Sequence, residues 1–360
     1  MASVEWGEYR IDDLFKIQTS AKRFDANKVN IIENGRYPYV VRTSSNNGQK
    51  GFLDENESFL NAGNTISFGQ DTATIFYQEK PYFTGDKIKV LVPKVYKFNK
   101  KNAQFFLASM NIAFSKFSWG SSRFNVDVLK EQVIMLPTKC DSIDFEFMES
   151  FIEELEAERI EELEAYLSVS GLKDTQLTAD ELSALDKFNS IKWKKFNLET
   201  LFGKSTRGKR LKGDDRIGGN LPFVTAGETD EGISAFISND VEIFSSNTTT
   251  IDMFGSAKYR NYNYGADDHI AVVHTENLSK YAAIFVTSAC HKSAHNGDFS
   301  YSRNFYAKDA DKLYISLPVK NEQPDYELMS TLISAMQKLV IADVVKFSDE
   351  KIKATKQVVG

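Results

Sequence analysis

The chain is 360 residues long, enough for two or three domains, and 42% of it is hydrophobic, enough for ordinary packed cores. No run of eighteen apolar residues occurs and residues 1–15 hold acidic groups rather than an apolar signal core, so no membrane partner is expected; two distant cysteines, Cys140 and Cys290, exclude a disulfide framework and suit a reducing cytoplasm. The net charge of −6 argues at first against a nucleic-acid partner, but 18 Lys/Arg face 14 Asp/Glu over residues 1–138, 4 face 15 over 139–190, 16 face 15 over 191–318 and 6 face 6 over 319–360, so one acidic segment masks two neutral-to-basic halves.

From the start of the chain, Trp6 precedes Ile11-Asp12-Asp13-Leu14-Phe15. Short β-branched and aromatic segments follow, predicted as strands at 37–42, 64–68, 74–77, 88–92 and 133–136, separated by Gly, Asn and Asp turns, with a short helix predicted over 102–115. A long helix is predicted from 144 to 167, with apolar residues at Met148, Ile152, Leu155, Ile160, Leu163 and Leu167 and glutamates on its other faces. Thr178 with Glu181 three residues on is a capping-box pattern, which predicts a short helix over 179–188 inside a linker ending near 190.

The series then begins again. Trp193 precedes Leu198-Glu199-Thr200-Leu201-Phe202, and strands are predicted at 221–225, 248–251, 270–274 and 313–317, with a short helix over 279–289. A second long helix runs to the end of the chain, with apolar residues at Met329, Ile333, Met336, Val340, Val344 and Phe347. The matches to the first half keep their order while the offset falls from 187 at Trp6/Trp193 through 184 at Pro38/Pro222 and 183 at Asn64/Asn247 to 181 at Pro137/Pro318 and Met148/Met329. A duplicated domain with small loop deletions produces this drift. The expected architecture is α+β: a globular domain over 1–140, the first helix and linker over 141–190, a second domain over 191–321 and the second helix over 322–360. The two apolar seams are expected to pair as an antiparallel coiled coil in a pseudo-two-fold arrangement. The alternative is that each stripe packs on its own domain.

Enzymatic signatures are missing. The seven prolines include no adjacent pair, so an Asn/Asp-Pro-Pro-aromatic methylation turn is absent, and no two glycines stand two apart as a nucleotide or methyl-donor loop requires. The one acidic-x-Lys triplet of nuclease type, Asp349-Glu350-Lys351, lies in the last helix. Cys290, His291 and His295 supply at most three zinc ligands and have no counterpart in the first half, so packing is the expected role; His269 and His274 lie at a predicted strand, and His274 shows no acidic partner. No catalytic residue, cofactor or metal is therefore expected.

What remains suits contact with DNA, which needs cations for phosphates and polar side chains for base edges. In the first half these are Lys22 and Arg23, the loop residues Thr43, Ser44, Asn46 and Asn47, and Trp119, Ser121, Ser122, Arg123 and Asn125. In the second half they are the basic loop Arg207, Lys209, Arg210 and Lys212, then Thr225, Thr229, Lys258 and Arg260, and the tip Tyr301, Ser302, Arg303 and Asn304. Asn46-Asn47-Gly48 is equally a plain turn signal, and the basic loop equally a solvated one.

The duplicated order of Trp, Leu-Phe, Pro-aromatic-Val, Gly-containing loop, Asn-Thr strand, Ser-Arg tip, Ile-x-Leu-Pro strand and long helix resembles the specificity subunits of type I restriction-modification systems, closest in style to the type IIB, BcgI-like subunits. The resemblance covers nearly the whole chain. It implies two target recognition domains, each reading half of a split double-stranded DNA site, on a helical spacer. It also implies partner methyltransferase subunits, two of them, which carry the S-adenosylmethionine, and restriction subunits beyond. Tyr301-Ser302-Arg303-Asn304 lacks the glycine of Trp119-Gly120-Ser121-Ser122-Arg123, a departure from a strict repeat. A protein-binding scaffold of two β-rich modules on a coiled coil explains the repeat equally well.

Overall fold

The computed structural model describes the backbone of residues 4–115 and 126–359, with side chains as far as Lys353. It separates into two units, Met1–Glu162 and Leu163–Gly360, with the boundary inside the first long helix.

In the first unit, Glu5–Arg10 pairs antiparallel with Val133–Lys139, placing Trp6 opposite Pro137. An antiparallel sheet follows in the order Phe15–Thr19, Ile88–Pro93, Thr65–Gly69, Ile75–Gln78. A smaller sheet sets Tyr37–Val40 between Gln49–Leu53 and Phe83–Thr84, parallel to the latter. The second unit repeats all three. Trp193–Asn197 pairs with Tyr314–Lys320, with Trp193 opposite Pro318. The order Thr206–Arg207, Ile270–Val273, Thr248–Asp252, Ala257–Arg260 matches the four-stranded sheet, and Gly218–Val224 lies between Ile233–Ile237 and Gly265–Ala266. The duplication therefore extends to strand order and register, which lone motifs cannot specify.

Small backbone devices repeat too. Two-residue turns with positive φ at both positions, Cys140-Asp141 and Asn321-Glu322, close the hairpins that lead into the long helices. Asp144 Oδ1 then accepts from the Phe147 amide at 2.9 Å and Asp325 Oδ1 from the Leu328 amide at 3.0 Å, so each long helix is capped alike. These helices span Phe145–Val169 and Tyr326–Val359. The shorter helices, Ala103–Phe114, Ala179–Asp186 and Lys280–Ala294, lie where the sequence predicts them, and Thr178 and Glu181 form the expected capping box.

The second seam needs correction, and the first methionine of each seam belongs to a domain core. Met148 is buried in the core of its own domain with Phe106, Ile134 and Leu136, and Met329 likewise with Val286, Ile315 and Leu317. Each long helix thus starts by packing on its own domain. Along the second helix, Met336, Val340 and Phe347 are exposed, at 53%, 79% and 49%, whereas Leu332, Ala335, Val345 and Ser348 are buried. The Lys280–Ala294 and Ala179–Asp186 helices pack against this helix and select its buried face. The last turns of the first helix and the linker after it run antiparallel to the second helix. Ser348 Oγ lies 3.4 Å from Glu164, and Lys338 Nζ lies 3.0 Å from Asp174 and 3.2 Å from Glu181. By length and composition alone the stretch Tyr326–Lys353 is apolar enough to cross a membrane, although no unbroken run of eighteen apolar residues occurs in it. In the fold, Lys338 and Ser334 on that stretch hold the Glu181 carboxylate.

Candidate nucleic-acid interface

In the first unit an open groove of about 1080 Å³ collects Arg23, Arg42, Thr43, Ser45, Lys50 and Asp86. Two of the expected contact residues, Arg23 and Thr43, therefore share one surface. Arg23 pairs with Asp86 at 3.4 Å. Lys22 lies over the Phe24 and Phe59 rings, 4.6 and 4.5 Å from their centroids. The Thr43 hydroxyl lies 3.1 Å from that of Ser45, and Ser44 is exposed beside them.

Arg42 was not among the residues singled out from the sequence. Its guanidinium donates to Asp71, which also accepts from Lys87 Nζ at 2.7 Å. The Lys87 hydrogen bond, reinforced by both positive charges, holds the Asp71 carboxyl below the usual carboxylate range. Asp71 lies on the tight turn between Thr65–Gly69 and Ile75–Gln78. Its partner Arg42 is 29 residues away, beyond the reach of any local pattern.

Asn46 and Asn47 serve the turn. Both have left-handed backbones, φ 48° and 53°, followed by Gly48 at 75°. Asn46 Nδ2 donates to the Gln49 carbonyl at 3.2 Å and Asn47 Nδ2 to the Tyr77 carbonyl at 3.0 Å. Asp230, Glu231 and Gly232 repeat the conformation at φ 49°, 54° and 80° with different side chains. The geometry is thus kept while the side chains differ, and both asparagines are exposed with their amide nitrogens engaged in the turn. Trp119, Ser121, Ser122, Arg123 and Asn125 lie outside the described residues.

In the second unit the basic loop is exposed and braced. Arg207, Lys209, Arg210 and Lys212 are exposed and have no ion-pair partner among the described residues. Before the loop, the Thr206 hydroxyl bonds His274 Nε2 at 3.0 Å, and His274 Nδ1 meets Glu276 at 2.9 Å, the acidic partner that sequence inspection missed. Glu276 is two residues on, and that spacing was the available signal. Within the loop, Gly208 presses on the strand behind it, and a Cβ there would stand 1.6 Å from the Ala266 oxygen. After it, Arg216 donates to the Leu211 carbonyl from Nε and Nη2, at 3.4 and 3.3 Å. Four free cations on a fixed backbone suit phosphate contact.

Two expected contacts in this unit are corrected. Arg260 is 1% exposed; Nε donates to Thr250 Oγ1, and Nη1 to the Glu231 carbonyl and the Tyr262 hydroxyl, each at 2.9 Å. Lys258 is largely buried, 3.3 Å from Glu228 and 4.0 Å from Asp252. Ser256 and then Lys258 hold the Glu228 carboxyl below its usual value. Neither cation is available to a phosphate. Thr225 is half-buried and opens the turn through its amide, 2.8 Å from the Gly232 oxygen, while Thr229 is exposed.

Tyr301, Ser302 and Arg303 are exposed on a tight hairpin closed by mutual 3.0 Å backbone bonds between Ser300 and Arg303. They and Asn304 line an open depression of about 370 Å³ with Lys308. Asn304 Nδ2 donates to the Tyr306 hydroxyl at 3.3 Å. Cys290 is buried in the domain core, which pushes its thiol up to about 12, and His291 Nδ1 accepts the Ala257 amide at 3.2 Å. Among the described residues Asp267, Asp268 and His269 bring possible metal-ligand atoms within 4.8 Å of one another, with His269 already 3.2 Å from Asp268.

A family model described as the type I restriction modification DNA specificity domain matches residues 3–165 and 190–344, one stretch in each copy. The specificity subunit S.BcgI of a type II restriction enzyme from Heyndrickxia coagulans is 26% identical over 346 residues, covering 94% of this chain and 96% of that protein. The crystal structure of the S subunit of a type I restriction-modification system from M. genitalium superposes with a TM-score of 0.63 at 17% identity, covering 99% of this chain and 95% of that one, and so shares the fold.

Proposed function

Because the chain belongs to the type I restriction modification DNA specificity family, whose members are the non-catalytic recognition subunits of these systems, we propose that each of its two domains reads one half of a split DNA site. The observation that carries this reading is the family match through both copies, joined to a duplication that holds strand by strand. The groove holding Arg23, Arg42 and Thr43 supports base reading by the first domain, and the braced basic loop supports phosphate contact by the second.

In this reading the long helices form a spacer and partner methyltransferase subunits, two per complex, dock on the protein, with restriction subunits as further partners in the cytoplasm. Met336, Leu339, Val340 and Phe347, exposed on the second helix, support protein contact there. The partners carry the S-adenosylmethionine and extrude the target base, a step for which this sequence has no catalytic turn. Copurification tests the proposal: a methyltransferase subunit should accompany the chain, and the complex should methylate DNA at a split site that neither component selects alone. A complex that methylates without sequence preference would refute it.

A further inference from the structure

The groove of the first domain contains an arginine, Arg42, that is held at more than one point. Arg42 donates to Asp71 through Nη1 and is partly exposed, at 32% of its side chain. Its stem lies across Gly69, where an added Cβ would meet Arg42 Cγ at 3.2 Å. Asp71 is itself tied by Lys87. The guanidinium is thus held at its stem and at one nitrogen, and Nε and Nη2 have no hydrogen-bond partner among the described residues, which leaves that edge of the fork for a ligand. Thr43 and Ser45, which follow it, line the same groove.

The second domain is built otherwise at the same place. The turn amides Val41 and Thr225, bonded to Gly48 and Gly232 at 2.8 Å in both cases, fix the correspondence, so Ala226 stands where Arg42 does. Asp252 stands where Gly69 does, paired across its strand with Ile270 as Gly69 is with Ile88. Asp252 turns inward to the Phe254 and Ser256 amides, at 2.9 and 3.0 Å. The shared fold therefore does not need Arg42 or its carboxylate. An arginine that the scaffold can omit, yet which is buttressed at the mouth of a groove, matches a residue kept for its ligand.

Resting on the recognition reading above, we propose that Arg42 is a specificity-determining residue of the first domain, reading a guanine in its half-site, with Asp71 as the positioning residue. Two parallel N–H bonds from a guanidinium edge to O6 and N7 are the geometry that singles out guanine in the major groove, and a fixed fork discriminates better than a mobile one. Lys87 supports Asp71 and does not touch the base.

The test uses the full chain reconstituted with its methyltransferase partner on DNA randomised across both half-sites, with the methylated products sequenced. Wild type should show a guanine preference at one position of one half-site that falls roughly 10- to 100-fold in Arg42→Ala. The second domain carries alanine at that place and Lys87 still pairs with Asp71, so the variant should keep its fold, which its melting temperature checks. Arg42→Lys should lose most of the preference while retaining charge, and Asp71→Asn should weaken it without moving it. An unaltered preference in Arg42→Ala overturns the proposal. So does a loss of affinity equal for all sequences with a salt slope lower by about 1, the mark of a phosphate contact. A wild-type complex with no preference anywhere would instead overturn the recognition reading, and this assignment with it.

Discussion

The buried guanidinium of Arg260 donates to the carbonyl oxygen of Glu231 at 2.9 Å, clamping a left-handed turn onto the neighbouring strand. In the first copy Gln78 does the same work, donating from Nε2 to the Asn47 carbonyl and to Ser67 Oγ, each at 3.1 Å. Arg260 and Gln78 occupy matching register positions, opposite Thr248 and Thr65. One task, closing the same turn, is performed by a charged side chain in one domain and a neutral amide in the other.

Arg260→Gln should accordingly be mild, since the first domain shows a glutamine in this place, whereas Arg260→Leu leaves the Glu231 carbonyl and Thr250 hydroxyl without their donor and should cost about 1–3 kcal/mol. Urea denaturation reads the difference. Affinity for DNA and its salt slope should stay put in Arg260→Gln. A slope reduced by about 1 with stability intact would return Arg260 to the DNA-contacting set.

Glu181 gives the second helix a pH-dependent clasp. Burial acts to raise its carboxyl, but hydrogen bonds from Ser334, from the Thr178 amide and from Lys338 outweigh burial and hold it down at about 2, below the ordinary 4.5. A carboxyl depressed on folding contributes stability that is fully present above the unfolded value and is lost as pH falls toward the folded one. Melting temperatures of wild type and Glu181→Gln should therefore differ at neutral pH and converge as the pH drops from about 4.5 toward about 2. A gap that is constant across that window would mean that Glu181 is not held as its neighbours imply.

The basic loop should act on DNA without regard to sequence. Replacing Arg207, Lys209, Arg210 and Lys212 together by glutamine should lower affinity for all DNA alike and flatten the dependence of binding on salt by roughly 0.9 for each phosphate that is no longer neutralised. All four are exposed, so the melting temperature should stay within about 1–2 °C. Binding titrations from low to moderate salt check this, and an unchanged slope would make the loop merely solvated.

Much of the fold was legible because duplication supplies its own control: the offset between Trp6 and Trp193 carried through to Met148 and Met329 fixes two domains, two long helices and their order. The capping pair Thr178 and Glu181 was legible because its signal is local. The buried face of the second helix was not. Ile333 and Met336 are as apolar as Leu332 and Ala335, so periodicity could not choose between adjacent stripes, and the packing of Lys280–Ala294 decided. Residue type and loop position were legible, and Arg23 and Thr43 fall on one groove, but exposure was not. Arg260 and Lys258 read as surface cations until Glu231, Glu228 and Asp252 come beside them through folding. Arg42 was overlooked for the opposite reason, since nothing near it in sequence marks it apart until Asp71 does.

The central claim, one domain for each half of a split site, is tested most directly by exchanging residues 191–318 for the corresponding domain of a relative with a different target and sequencing the DNA that the reconstituted complex methylates. One half of the recognised site should change, and the half read by residues 1–140 should stay as it was. Alteration of both halves, or of neither, would contradict the claim.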